Sequence, residues 1–191
     1  MTMTSTQIEE MKRNRVLVLT KAETFWHYSI VPFLLITPLY TSIQVFRKYV
    51  LHNYHGRPIE NLISIGYIWI VPAILFYFLQ KHRLRFKEIP IALSGKEFYK
   101  IVGKVAEAFK WVVVYRSTNI MVLESGQSWK SWGERITILK DDGLILFNSI
   151  CDPGNKPSAL AWGVNKENRE RFEEEIRKQY LFFSTKQKPS V

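Results

Sequence analysis

Two long runs without Asp, Glu, Lys or Arg dominate the first half of the chain, at residues 24–46 and 61–80. About 20 apolar residues at roughly 1.5 Å each match the ~30 Å hydrocarbon core of a bilayer. Aromatic residues stand near the ends of both runs and basic residues flank them, which is typical of membrane-spanning helices. The pattern predicts a two-helix transmembrane hairpin. The alternative is a pair of buried helices in a soluble protein.

Basic residues predict the orientation of this hairpin. The connection between the runs carries Arg47, Lys48 and Arg57, whereas the two outer flanks carry eight basic residues, namely Lys12, Arg13, Arg15, Lys21, Lys81, Arg83, Arg85 and Lys87. The positive-inside rule places the outer flanks in the cytoplasm. We therefore expect a cytosolic N-terminal segment at 1–23 and both termini in the cytoplasm.

Prolines inside the runs predict kinked helices. Pro32, Pro38 and Pro72 fall there, and the sequences IVPFLL and IVPAIL repeat each other. Neighbouring helices can compensate the backbone hydrogen bond that a proline removes. Packing kinks are the simpler interpretation, and a gating hinge is the alternative. Neither run contains the charged residues that mark an ion or proton path.

The pattern changes over residues 81–183, for which we expect a cytosolic α+β domain. Residues 84–93 alternate like an edge strand, and Ser94 with Glu97 forms a capping box that starts an amphipathic helix. Short β-branched runs with turns at 117–119 and 141–143 follow, with further strands expected at 159–162 and 16–20. Asn165 is the expected cap of a last helix from Lys166 to about Tyr180. We expect two layers, an antiparallel sheet with two helices on one face, and a disordered tail at 184–191.

The distribution of charge along the chain indicates which class of partner to expect. The chain has a net charge of +10, and the segment Lys81–Lys110 alone has eight Lys/Arg against three Asp/Glu. The β region, Trp111–Val164, has five of each. A nucleic-acid-binding domain more often carries its basic patch on the folded domain itself. We therefore expect no nucleic-acid partner. The expected partners are anionic membrane lipids, contacted by Lys81, Arg83, Arg85 and Lys87 at about 1 kcal/mol each.

Two tryptophans are the candidates for a protein contact. Trp129 and Trp132 lie in a Gly/Ser-containing loop, where a large exposed indole is costly unless it has a partner. They form either a partner-binding surface or part of the core.

The single cysteine is the strongest candidate for catalysis. A reactive thiol needs a base or a positive environment, but all four histidines precede residue 83 and Asp152 disfavours a thiolate at Cys151. The turn signal that follows indicates a strand end. The alternative is a membrane-anchored enzyme with its pocket around Trp129, Glu134, Cys151 and Asp152.

Other cofactor chemistry has little support in the sequence. His52 and His55, with Glu60 as a third ligand, are too few for the usual zinc site, and no glycine-rich phosphate loop is present. We expect no metal, no cofactor and no catalytic residues.

The segments SWGERITI and NSICDPGNKPS, with the Asp-Asp-Gly turn between them, resemble a pattern in uncharacterised small bacterial two-span membrane proteins with a C-terminal α+β domain. This resemblance implies a bacterial inner membrane and no particular activity. The expected function is a cytosolic binding or scaffolding domain at the inner face of the membrane. Besides the enzyme, the alternative is an oligomeric channel or transporter accessory subunit, with a protein partner or a second copy of the chain.

Overall fold

The computed structural model describes residues 3–126, 133–152 and 164–186. Trp129, Trp132 and the strand expected at 159–162 lie outside these residues. The elements are α1 Ser5–Asn14, α2 Lys21–Tyr28, α3 Ile30–Tyr49, α4 Ile59–Tyr67, α5 Ile70–Arg83, β1 Lys87–Ile89, α6 Gly95–Ala108, β2 Val112–Ser117, β3 Ile120–Glu124, β4 Glu134–Asp141, β5 Leu144–Cys151 and α7 Val164–Lys186.

The two apolar runs form helices that pack side by side, α3 against α4 and α5. By length and composition both are able to cross a membrane, with mean hydropathy 1.3 for Ile30–Tyr49 and 2.2 for Ile59–Arg83. Only 17% and 11% of these apolar windows is buried inside the protein. Most of their large apolar side chains therefore face outward, unlike those of a core helix in a soluble protein.

Both apolar segments are broken at the same place relative to a proline. The first is interrupted at Ser29 and the second at Ile68–Trp69, and each then continues as a helix whose third residue is Pro32 or Pro72. A proline cannot donate a hydrogen bond to the residue four positions before it. This missing bond explains why the repeated IVP sequence marks a break in each segment.

The sheet is antiparallel throughout, with the strand order β1-β5-β4-β3-β2. The chain is therefore of the α+β class with the expected type of sheet. Strand β1 is shorter than the run predicted at 84–93, and it ends where Pro90 follows directly and cannot continue the ladder. The segment predicted as a strand at 16–20 contributes a single antiparallel bridge, between Val16 and Arg85.

The expected two-layer arrangement is wrong, because both faces of the sheet are covered. One face packs against α6 and α7 through side chains such as Ile136, Ile138 and Phe147. The other face packs against Met11 of α1 and Leu17. Alternate residues point to opposite faces of a strand. In β5, Ile145 and Phe147 belong to the first cluster, whereas Leu146 and Ile150 belong to the second, so a single helical layer would leave apolar side chains exposed to water.

The N-terminal segment is thus part of the sheet domain. Phe86 N–H donates to Arg15 O over 2.9 Å, and Leu17 N–H donates to Leu84 O over 2.8 Å. The Arg15 guanidinium also reaches the carboxylates of Asp141, at 2.6 Å, and Glu88, at 3.1 Å. The chain therefore enters the apolar helices and leaves them along the same edge of the domain.

Helices α6 and α7, which pack on the same face of the sheet, start differently. Helix α6 has the predicted capping box, in which Ser94 Oγ accepts from Glu97 N–H over 3.3 Å and the Glu97 carboxylate accepts from Ser94 N–H over 2.8 Å. Helix α7 begins at Val164, before the expected cap Asn165, and includes residues 184–186 of the expected tail. Residues 187–191 lie outside the described residues. Phe172 of α7 stacks on Phe147, with ring centroids 4.6 Å apart.

Gly66 is required for the close approach of α3 and α4. A Cβ atom at this position would lie 1.9 Å from Thr41 Oγ1. We expect Gly66→Ala to separate the helices and to lower the free energy of unfolding by about 1–3 kcal/mol, measured as denaturant unfolding in a neutral detergent. Gly103→Ala in α6 is the matched control, because nothing lies within 4 Å of its added Cβ; equal losses in the two variants would contradict this expectation.

A substitution at Met11 tests whether α1 is part of the domain, because the Met11 side chain is only 1% exposed. Met11→Ala should lower the free energy of unfolding of the sheet domain by about 2–5 kcal/mol, as for other buried methionines. The control is Glu10→Ala, which removes an exposed neighbour on the same helix. If the melting of the sheet, followed by circular dichroism, is unchanged in Met11→Ala, α1 does not stabilise the domain.

Candidate functional site: a basic cleft beside the apolar helices

A cleft of about 410 Å³ lies where α5 meets the sheet. Its walls come from the end of α5, the connection to β1, the middle of β5 and the first turns of α7. Among the described residues that line it, six are basic and none is acidic: His82, Arg83, Arg85, Lys87, Lys166 and Arg169. The uncharged lining consists of Phe86, Phe147, Asn148 and Ser149.

Asn148 fixes the wall of the cleft to the end of α5. Its side-chain nitrogen donates to Arg83 O at 2.9 Å and to Arg85 O at 3.0 Å. These two bonds hold the chain in register as it leaves the helix, so the side chains at 83, 85 and 87 are presented from a fixed backbone. A buried asparagine that bonds two carbonyls from another segment is a specific structural link.

The first turns of α7 add positive charge where it is electrostatically unfavourable. The N-terminus of a helix carries a partial positive charge and normally attracts acidic side chains. The first turn does contain Glu167, but Lys166 and Arg169 are the residues of α7 that face the cleft, and they form ion pairs with Glu170 at 3.8 and 4.0 Å. Basic side chains that converge on a cleft raise the local concentration of anions. The arrangement is therefore suited to an anionic ligand.

Three of the four residues predicted for lipid contact line this cleft. Arg85 and Lys87 are exposed, whereas Arg83 is half-buried and reaches Gln80 Oε1 at 3.4 Å. Lys81 is exposed on the last turn of α5, outside the lining. The sequence did not single out Lys166 and Arg169, which are about 80 residues away and arrive through the packing of α7 on β5.

A buried ion-pair cluster joins the sheet to the start of the apolar segment. Arg135 of β4 bonds to Glu23 of α2 and, at 2.8 Å, to Asp152. Both side chains of the Arg135–Glu23 pair are 11% exposed. We call the region where α2 and the end of α5 meet the sheet the junction. A charge buried there is stable only while its partner is present.

Of the four residues of the enzyme alternative, Glu134, Cys151 and Asp152 come together at the junction, and Trp129 lies outside the described residues. Glu134 and Cys151 are register partners across β4 and β5, and Arg83 interacts electrostatically with both. However, Glu134 is 0% and Cys151 3% exposed, and neither lines the basic cleft. The burial of both side chains favours a structural role for this pair.

The histidine pair considered for zinc lies at the far end of the apolar helices. His52 and His55 are exposed there, and His55 lines a second cleft of about 390 Å³ together with Arg47 and Arg57. Within the described ranges, no three His, Cys, Asp or Glu side chains are grouped closely enough to hold a metal ion.

The junction should be sensitive to acid. Burial raises the pKa of Glu23, but hydrogen bonds from the Thr20 backbone and from Arg135 outweigh it, so the pKa lies below the ordinary value of 4.5. A lowered pKa in the folded state adds stability above the unfolded pKa, and this stability is lost as the pH falls through the folded pKa. The contribution of Glu23 is therefore complete above about pH 5 and declines below it.

Glu23→Gln should remove this contribution. We expect it to cost about 1.5–3 kcal/mol at pH 7, the usual value for a hydrogen bond to a charged group, and to reduce the loss of stability between pH 7 and pH 4. Denaturant unfolding at the two pH values measures both effects. Glu10→Gln, an exposed carboxylate, is the control; the same pH dependence in Glu23→Gln as in the unchanged chain would contradict the assignment.

Comparison with known proteins adds no relative from which a function could be transferred. No family model, no curated protein and no solved structure matches this chain. The expectation of a bacterial inner-membrane protein therefore stays a prediction. Any function has to be inferred from the geometry of this chain.

Proposed function

We propose that this chain is a two-span membrane protein whose cytosolic α+β domain binds anionic lipid headgroups at the inner face of the bilayer. Helices α3 and α4–α5 form the transmembrane hairpin, and both termini lie in the cytoplasm. The observation that carries the proposal is the basic cleft, whose six basic side chains begin at the last turn of a helix long and apolar enough to span.

The exposed apolar surface of the helices supports the membrane part of this proposal. Phe33, Leu39 and Leu75 are each more than 60% exposed. Other exposed apolar side chains extend this surface along both apolar segments. Soluble monomers rarely expose a contiguous apolar patch larger than a few hundred Å². A bilayer covers such a surface on all sides, whereas water would make it a site of aggregation.

The position of the cleft supports the choice of ligand. Phospholipid headgroups lie at the ends of transmembrane helices, where His82 and Arg83 stand on the last turn of α5. Basic pockets beside transmembrane helices on the cytoplasmic side are known to bind anionic headgroups. Arginine also offers a planar fork of donors that matches a phosphate group. An anionic phospholipid therefore fits the charge of the cleft and its location.

Two other functions remain alternatives. An enzyme would use the buried Glu134–Cys151 pair, and a channel or transporter accessory would need several hairpins assembled by a second copy or a protein partner. Neither alternative makes use of the basic cleft, which is the described feature that lipid binding explains. Scaffolding of a protein partner is compatible with lipid binding, since the cleft occupies only one side of the domain.

The double variant Arg85→Gln/Lys87→Gln tests the cleft. Loss of two basic groups near a membrane costs about 2 kcal/mol, which corresponds to roughly 30-fold weaker binding. The dissociation constant of phosphatidylglycerol, measured by native mass spectrometry of the full chain in a neutral detergent, should increase by this factor, while phosphatidylcholine should bind weakly to both proteins.

The matched control is Lys96→Gln/Arg116→Gln. It removes the same charge from exposed positions outside the cleft and should leave the dissociation constant nearly unchanged. Equal weakening by the two double variants would indicate a general charge effect instead of a site. No weakening by Arg85→Gln/Lys87→Gln would exclude the cleft as the binding site.

A further inference from the structure

Strand β2 leaves an apolar strip exposed at the edge of the sheet. Val112, Val113 and Val114 are consecutive and are 66%, 44% and 43% exposed. The strand pairs with β3 on one side and forms the outer edge of the described sheet on the other. Soluble proteins usually protect such an edge with charges or proline. Three adjacent exposed valines therefore call for a partner.

The register of the sheet shows how far this strip lies from the junction, measured along the strands. Val112 is paired with Glu124, which is paired with Arg135, and Arg135 bonds to Glu23. Glu23 lies in α2, the helix that directly precedes the span formed by α3, Ile30–Tyr49. Neighbouring strands are about 4.8 Å apart, so Val112 lies roughly 10 Å to the side of Arg135 at the same level. Val113 and Val114 lie within about 7 Å of that level, because a strand rises ~3.3 Å per residue.

We propose that Val112–Val114 is a second bilayer contact, which rests on the headgroup–acyl boundary beside the transmembrane hairpin. This proposal depends on the proposed function, because the hairpin must cross the bilayer for the strip to reach it. Lys110, exposed just before the strand, supplies the charge that suits this position. A lysine beside apolar side chains buries its stem in the interface and keeps its ammonium among anionic headgroups.

The same geometry argues against a second copy as the partner. Edge strands related by a twofold axis pair in antiparallel orientation, so the axis is perpendicular to the strands. Strand β2 begins at the level of the junction and runs away from it. An antiparallel β2–β2 contact would therefore place the two hairpins on opposite sides of the dimer, which two copies inserted in one bilayer with the same topology cannot adopt.

Site-directed fluorescence quenching in lipid nanodiscs tests this contact. Single cysteines at Val112→Cys, Thr118→Cys and Phe33→Cys are labelled with bimane, and quenching by phospholipids with a nitroxide at the upper acyl chain is measured. Cys151 is buried, so the unsubstituted chain is the control for background labelling. Thr118 is exposed in the turn at the other end of β2, about 20 Å from Val112 along the strand. Phe33 is exposed on α3.

We expect quenching at positions 33 and 112, at least threefold stronger than at position 118. Strong quenching at 33 with equally weak quenching at 112 and 118 would overturn the second contact and leave the transmembrane hairpin intact. Weak quenching at all three positions would overturn the proposed membrane function itself. Quenching at 118 as strong as at 112 would also overturn the inference, because the contact would not be confined to the junction end of β2.

Discussion

The relation between the sheet and the apolar helices depends on one buried cation. The Arg135 guanidinium extends from β4 and is shared by Glu23, at the start of the apolar segment, and Asp152, at the end of β5. Three distant segments of the chain therefore meet at one charge. Because removing either partner would leave a charge in a poorly hydrated position, the sheet is held at a defined place relative to the helices.

Backbone pairing reinforces this link and explains how the cleft is built. The chain enters and leaves the apolar helices along neighbouring paths, joined by the bonds between Arg15 and Phe86 and between Leu17 and Leu84. Asn148 then ties the outgoing path to β5. With the backbone fixed in this way, the basic side chains that follow α5 have a rigid support beneath them, and α7 closes the opposite wall of the cleft.

Both faces of the sheet carry apolar side chains that have to be buried. The N-terminal segment packs where it does because it buries one of these faces. Strands β4 and β5 alternate between two apolar clusters, one under α6 and α7 and one under α1. Helix α1 is separated from these strands in sequence by the whole apolar hairpin region. The short β-branched runs predicted β4 and β5 as strands, but which segment covers the second face depends on the path of the chain.

Local patterns determined much of this protein from the sequence alone. Long runs without charged residues identified the two apolar helical segments, the capping box at Ser94 identified the start of α6, and β-branched runs with Asp-Asp-Gly between them identified the β4–β5 hairpin. These signals act within a few residues, where propensity and hydrogen bonding are decided by neighbours in the chain. The basic residues after α5 were likewise recognisable, because they follow the second apolar run directly.

Only the tertiary structure decided which distant residues meet. It placed Lys166 and Arg169 beside Arg85, turned Arg83 partly inward, buried the Glu134–Cys151 pair and brought α1 onto the sheet. The physical reason is that charge pairing and face covering are satisfied through space. One sequence position has many candidate partners of suitable chemistry, and only the packed chain selects among them.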